Sequence, residues 1–305
     1  MNPQEPHQES WSSLRPVPSA GLRGVLVVER PGHAPSALER AAFLPLAPGA
    51  RVAMLRSVAP PRGGHGGTGS PGSPEALLET GVRAMGGQFL QLDMASDEEL
   101  LATVDEATQR HDLELVVVAR EPDSLRARLF GSLPQRLARY ARLPTLVSQL
   151  PARQYYQRIL VATDFSPVSR AALELALRLG TPGSSELVVF HAYDTSYALT
   201  LRQTPASAGT MLHYYQRSQA QAEATMREFL APFRGAPMAP RPIVSGGVPQ
   251  ADLHKVACAQ DAELVVVGRN GARGAGHALL GSVAEATLRR RHRYDVLVVP
   301  SPTVH

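Results

Sequence analysis

One cysteine, one lysine and one tryptophan stand among 305 residues. The lone Cys258 excludes an intramolecular disulfide framework and fits a reducing compartment. Flanked by Val256 and Ala257 on an expected helix, it reads as an inert small core residue. Aromatic residues make up only 5% of the chain, which leaves few platforms for stacked bases. The basic residues are nearly all arginine, Lys255 being the one lysine, and they are spread over expected helices instead of being gathered in a stripe. With a net charge of only +4, no nucleic-acid partner is expected. No run of 18 apolar residues occurs, so no membrane partner is expected either. The opening MNPQEPHQESWSSLRP has no apolar stretch of the kind a secretory signal carries, and cytoplasmic is the default expectation.

What is present suits a folded α/β protein. Hydrophobic residues are 44% and charged residues 19% of the chain, enough apolar surface for a buried core, and the length suggests two domains. Residues 1–21 read as a disordered tail, 22–150 as one domain and 151–305 as another. In the first domain, short apolar runs at 24–28, 50–58, 88–92, 114–119 and 145–148 read as strands. Helical patterns at 75–85, 96–110 and 132–142 lie between them. Residues 60–74, PPRGGHGGTGSPGSP, are low-complexity and read as a flexible loop. The second domain replays the order, with strands at 158–163, 186–193, 241–246, 264–267 and 295–300. Ser166 followed by Pro167 marks a helix start, as N-cap and N1.

The repeat is explicit. Residues 112–119 are DLELVVVA and residues 261–268 are DAELVVVG; 129–132 are LFGS and 279–282 are LLGS. Alternating β and α in each half predicts two Rossmann-like doubly wound domains, each with a mainly parallel five-stranded sheet flanked by helices.

The stretch ELVVVGRNGARGAGHALLGSVAE, residues 263–285, carries the chemistry. A buried strand runs into a loop with glycines at 268, 271, 274 and 276, and Gly281-Ser282 then opens a helix. Glycines let backbone N–H groups approach a ligand, and a helix N-terminus adds about half a positive charge. The combination predicts an anion site, most plausibly for phosphate. Ser282 and Glu285 also match a capping box, which needs no ligand. Asp164 is open to two readings, a ligand contact or a turn residue before a helix. Arg269 and Arg273 either neutralise phosphate or are solvated loop charges. His277 reads as exposed loop, and His191, at a strand end, as packing. The run Arg289 to Arg293 starts about 10 Å along the helix from Ser282 at about 1.5 Å per residue, and complements the dipole at the helix end.

These residues resemble the universal stress protein family over residues 155–301. Its nucleotide-binding members carry Gly-x2-Gly-x9-Gly-Ser/Thr after the fourth strand. Gly268, Gly271 and Gly281-Ser282 match that spacing, accompanied by Asp164 after the first strand and by the closing VLVVP. The resemblance implies ATP, with Mg²⁺ as an accompanying ion. Thr163 and Asp164 would lie at the adenosine end, and Ala192 would meet adenine through its backbone. Gly268 and Gly271 would border ribose and phosphates, with Gly281, Ser282 and Val283 holding phosphates. The family often has a hydroxyl where Ala284 stands. Ala162, Val267 and Arg273 complete the expected contacts. It also implies that the two domains pack as a pseudo-dimer through their last strands, with the whole chain forming a homo-dimer.

The first half departs from the pattern. Thr-Asp becomes Glu29-Arg30, the early glycines become Ala119 and Pro122, and the interval to Gly131 is one residue shorter. A Cβ and a proline ring would obstruct a phosphate there. This half reads as a degenerate copy, although Arg30, Arg120 and Arg126 could still attract an anion. The expected role of the chain is that of a nucleotide-dependent stress-response or regulatory factor. Its alternatives are a slow Mg²⁺-dependent ATPase or adenylyl transferase, and a scaffold that binds no nucleotide. No P-loop lysine or recurring nucleophile–base pair supports strong catalysis. A dinucleotide oxidoreductase is disfavoured because its glycine fingerprint belongs after a first strand.

Overall fold

The computed structural model describes residues 21–29, 36–57, 73–94, 99–122, 131–193, 195, 208–271 and 279–301. The expected tail, most of the 60–74 loop, and Arg30, Arg126, Arg273 and His277 lie outside the described residues. Two compact units emerge, one of residues 1–134 and 141–155, the other of residues 135–140 and 156–305.

As far as Ser148 the order is β1 (Leu22–Glu29), α1 (Ser36–Ala42), β2 (Leu46–Ser57), α2 (Pro74–Ala84), β3 (Gln88–Met94), α3 (Leu100–His111), β4 (Leu115–Ala119), α4 (Leu133–Tyr140) and β5 (Thr145–Ser148). The second unit runs β6 (Arg158–Ala162), α5 (Pro167–Leu179), β7 (Glu186–Tyr193), α6 (Ala208–Leu230), β8 (Arg241–Gly246), α7 (Pro249–Ala259), β9 (Leu264–Gly268), α8 (Ser282–Arg289) and β10 (Asp295–Val299).

Each unit holds a five-stranded sheet, ordered β3-β2-β1-β4-β5 in the first and β10-β9-β6-β7-β8 in the second. The ladders within each unit are parallel. The apolar runs explain this arrangement. Val25 to Val28, Leu115 to Val118 and Leu264 to Val267 are each at most 2% exposed, as strands covered on both faces require. In both sheets the strand order reverses beside the first strand of the unit, so loops leave in opposite directions from the carboxyl ends of β1 and β4, and of β6 and β9. A crevice opens at such a point.

The sequence repeat has a backbone cause. Asp112 and Asp261, which open the two copies, adopt left-handed φ values of 52° and 46°. Each follows a helix, and Asp112 is the C-cap of α3. Aspartate tolerates that conformation better than most non-glycine residues.

Several expectations need correction. Cys258 is exposed. Leu253 and Ala257, one turn apart, form the buried face of α7, and Cys258 is rotated about 100° from Ala257, out of the core. Helix α8 has Gly281 as its N-cap with no side-chain cap. Ser282 is therefore already the first helical residue and cannot close a capping box. Glu285 instead pairs with Arg289 at 2.7 Å. Helix α3 starts at Leu100, where residue 96 was expected.

Candidate functional site

At the β6–β9 switch point lies a cavity of about 170 Å³. Its first wall is the carboxyl end of β6, where Ala162, Thr163 and Asp164 follow one another. Ser166 caps α5, its Oγ accepting from Ser169 N at 3.3 Å, and it donates to Asp164 Oδ1 at 2.5 Å. Ser166 N also donates to Asp164 Oδ1, at 3.1 Å. Thr163 Oγ1 bonds to Ser169 Oγ at 2.9 Å and accepts from Phe165 N at 3.0 Å. Ser166 thus holds the carboxylate at Oδ1 through both its backbone and its hydroxyl. Its other oxygen faces the glycine loop, 3.1 Å from where a Cβ on Gly271 would stand.

Phe165 sustains that turn in a left-handed conformation, φ 66°, which is costly for a bulky residue. Its ring is held against His191 at 4.2 Å between centroids and against Phe229 at 5.6 Å. His191 Nδ1 donates to the Thr163 carbonyl at 2.8 Å, the only role open to it against an acceptor. Burial is the main cause that depresses the His191 pKa below its usual 6.5, outweighing the Thr163 carbonyl and Asp164. The imidazole is therefore neutral near pH 7, with Nδ1 carrying the hydrogen.

The second wall is the loop after β9. Val267, Gly268, Asn270 and Gly271 line the cavity, as do Gly281, Ser282, Val283 and Ala284 at the start of α8. Gly281 N donates to Arg269 O at 2.7 Å, and Arg269 N donates to Val299 O at 2.7 Å. These bonds pin both ends of the loop together. A Cβ on Gly268 would meet Val168 Cγ1 at 2.9 Å, and one on Gly281 would meet Arg269 O at 3.2 Å. Glycine at these two positions keeps the wall clear of those contacts. Helix α8 supplies first-turn N–H groups with no side-chain cap, an electropositive end facing the cavity.

Eleven of the twelve expected contacts line this one cavity; Arg273 lies outside the described residues. Arg269 is 8% exposed, which removes the reading of a solvated loop charge. Burial lowers its pKa to about 10, so it remains a cation beneath the loop. Ser169, Phe190, His191, Pro249, Leu253 and Asn270 also line the cavity. Asn270 lies within the Gly-x2-Gly interval and was legible there. Pro249 and Leu253 come from α7, which only the fold brings to the crevice.

Residues 155–300 match the model of the universal stress protein family. That match spans β6 to β10 and leaves β1 to β5 outside it. A universal stress protein from Synechocystis sp. is 29% identical over 136 residues, covering 42% of this chain and 88% of its own length. Among solved structures, a protein of unknown function from Pseudomonas aeruginosa PAO1 is 20% identical with a TM-score of 0.61, covering 93% of this chain and 94% of its own. A universal stress protein from Archaeoglobus fulgidus is 14% identical with a TM-score of 0.55, covering 91% and 98%. At these identities the structural likeness concerns the fold, which extends over both units. Among the described residues, no helix is long and apolar enough to cross a membrane.

Proposed function

We propose that the second unit binds an adenine nucleotide, ATP with Mg²⁺, and that the chain acts as a nucleotide-dependent regulatory factor in a stress response. The observation that carries this reading is the meeting, in one crevice, of an oriented carboxylate, a wall with Gly268, Gly271 and Gly281 in it and a helix N-terminus with no side-chain cap. Each element suits one part of the ligand. The α8 N–H groups would take phosphate oxygens, and a Cβ at Gly281 would crowd the carbonyl that fixes this wall. Asp164, oriented by Ser166, would face a ligand hydroxyl or a hydrated Mg²⁺. Phe190 and Leu253 give the apolar surface that a purine needs. The enclosed volume, about 170 Å³, is below the roughly 300–1,000 Å³ of complete ligand pockets. It suits part of a nucleotide, with the remainder extending through the mouth. Bound Mg²⁺ would neutralise phosphate charge, which the Asp164 carboxylate would otherwise oppose.

The test is calorimetric titration of ATP, ADP, AMP and NAD with Mg²⁺ against the wild type and Gly281→Val. Adenine-nucleotide binding that weakens at least about tenfold, roughly 1.4 kcal/mol, in a variant that keeps its circular dichroism is the expected result. Absence of binding in both proteins would leave the scaffold reading in its place.

A further inference from the structure

In the first unit the corresponding positions carry side chains that pair with the chain's own groups. Strand pairing aligns the two units residue by residue. Val25 pairs with Leu115 as Ile159 pairs with Leu264, so Glu29 stands where Thr163 stands. Arg56, the β2 partner of Glu29, then takes the place of His191. Ala119, Glu121 and Pro122 correspond to Gly268, Asn270 and Gly271. Gly131-Ser132-Leu133 corresponds to Gly281-Ser282-Val283.

At the helix end, Leu133 N donates to Glu121 Oε2 at 3.2 Å. The carboxylate therefore sits on the N-terminus of α4 at the position equivalent to the phosphate-facing Val283 N–H in the second unit. At the opposite end, Arg56 donates to Glu75 Oε2 at 2.6 Å and stands 3.7 Å from Glu29 Oε2. Gln91 Nε2 donates to the other Glu75 oxygen at 2.8 Å. A cation and three polar partners thus occupy the side where the second unit has Thr163 and His191. The α4 N-terminus has its anion in place already, and the base end is closed by ion pairs.

We infer that Glu121 is an internal anion that substitutes for a ligand phosphate, so that the first unit is closed to nucleotide. The chain then carries one nucleotide site, an inference that rests on the reading of the second unit. Negative charge at its first turn stabilises helix α4, and a carboxylate from its own chain supplies it. Pro122, one residue on, lacks the N–H that Gly271 offers, which further commits this loop to holding a side chain in place of a phosphate.

The test removes the internal anion and offers an external one. In a Gly281→Val background, Glu121→Ala is expected to lower Tm by about 2–4 °C. Inorganic phosphate, at ionic strength matched with chloride, is expected to restore that loss in Glu121→Ala and to leave the Glu121 parent unshifted. Equal shifts in both proteins, or no restoration, would overturn the inference. Glu121→Gln keeps length and loses charge, and is expected to lose comparable stability; wild-type stability in this variant would show that the helix does not need the charge. Titration of the wild type with ATP and Mg²⁺ separates the two readings. One site per chain supports both, two sites overturn the closed first unit alone, and no site overturns the nucleotide reading while the phosphate arm still judges Glu121.

Discussion

His191 shows how a residue that reads as packing in the sequence becomes part of a polar constellation. Its ring stacks on Phe165 and its Nδ1 hydrogen is given to the Thr163 carbonyl, so protonation would put a second hydrogen and a charge into a half-buried space. Because burial depresses its pKa below 6.5, the unfolded chain holds this proton more readily than the folded one. The stability contributed by neutral His191 is therefore complete above pH 6.5 and declines as pH falls from there toward the lowered folded value. Thermal unfolding as a function of pH is expected to show this loss in the wild type and a flatter profile in His191→Asn. An identical acid slope in both would mean that other groups account for it. Cys258 illustrates the converse. Its small size and apolar neighbours suggested burial, but a turn of helix has two faces, and the sequence alone could not say that Leu253 and Ala257 hold the inner one.

At the scale of elements, α5 and α8 begin in different ways for different purposes. Helix α5 is capped by Ser166, with Pro167 at its first position, as the Asp-Phe-Ser-Pro sequence predicts. Its cap is shared with Asp164, so the same hydroxyl starts a helix and aims a carboxylate. Ser166→Ala is expected to cost about 1 kcal/mol, within the usual range for a lost N-cap, together with weaker nucleotide binding. Chemical denaturation and titration of one protein sample check both effects; lost stability with unchanged affinity would separate the cap from Asp164. Helix α8 has no side-chain cap. The Ser-x-x-Glu pattern was visible, but Glu285 is claimed by Arg289 at 2.7 Å, and Gly281 takes the cap position because its amide must reach Arg269 O. Strand identities were legible from apolar runs and the repeat. The start of α3 was not, because periodicity does not mark where a helix frays into its preceding turn.

For the whole molecule, the two units carry one architecture with divergent crevices. Nucleotide that binds the folded second unit alone stabilises it by mass action, about 2.7 kcal/mol at a ligand concentration 100 times Kd. ATP with Mg²⁺ is accordingly expected to raise the Tm of the transition that reports the second unit in the wild type and to raise it less in Gly281→Val. Calorimetric scans with and without ligand check this, and an undiminished rise in the variant would place the ligand elsewhere. The sequence by itself determined the alternation of strands and helices, the parallel sheets and the glycine wall. These follow from local patterns: runs of Val and Leu buried on both faces, and a spacing of glycines that admits backbone alone. Only the tertiary structure decided which side chains complete the crevice. Pro249 and Leu253 arrive from α7, His191 is turned onto Phe165, and Glu121 meets the amide of Leu133, 12 positions further along the chain. Such meetings depend on where strands end in space, and the order of residues along the chain does not specify that distance.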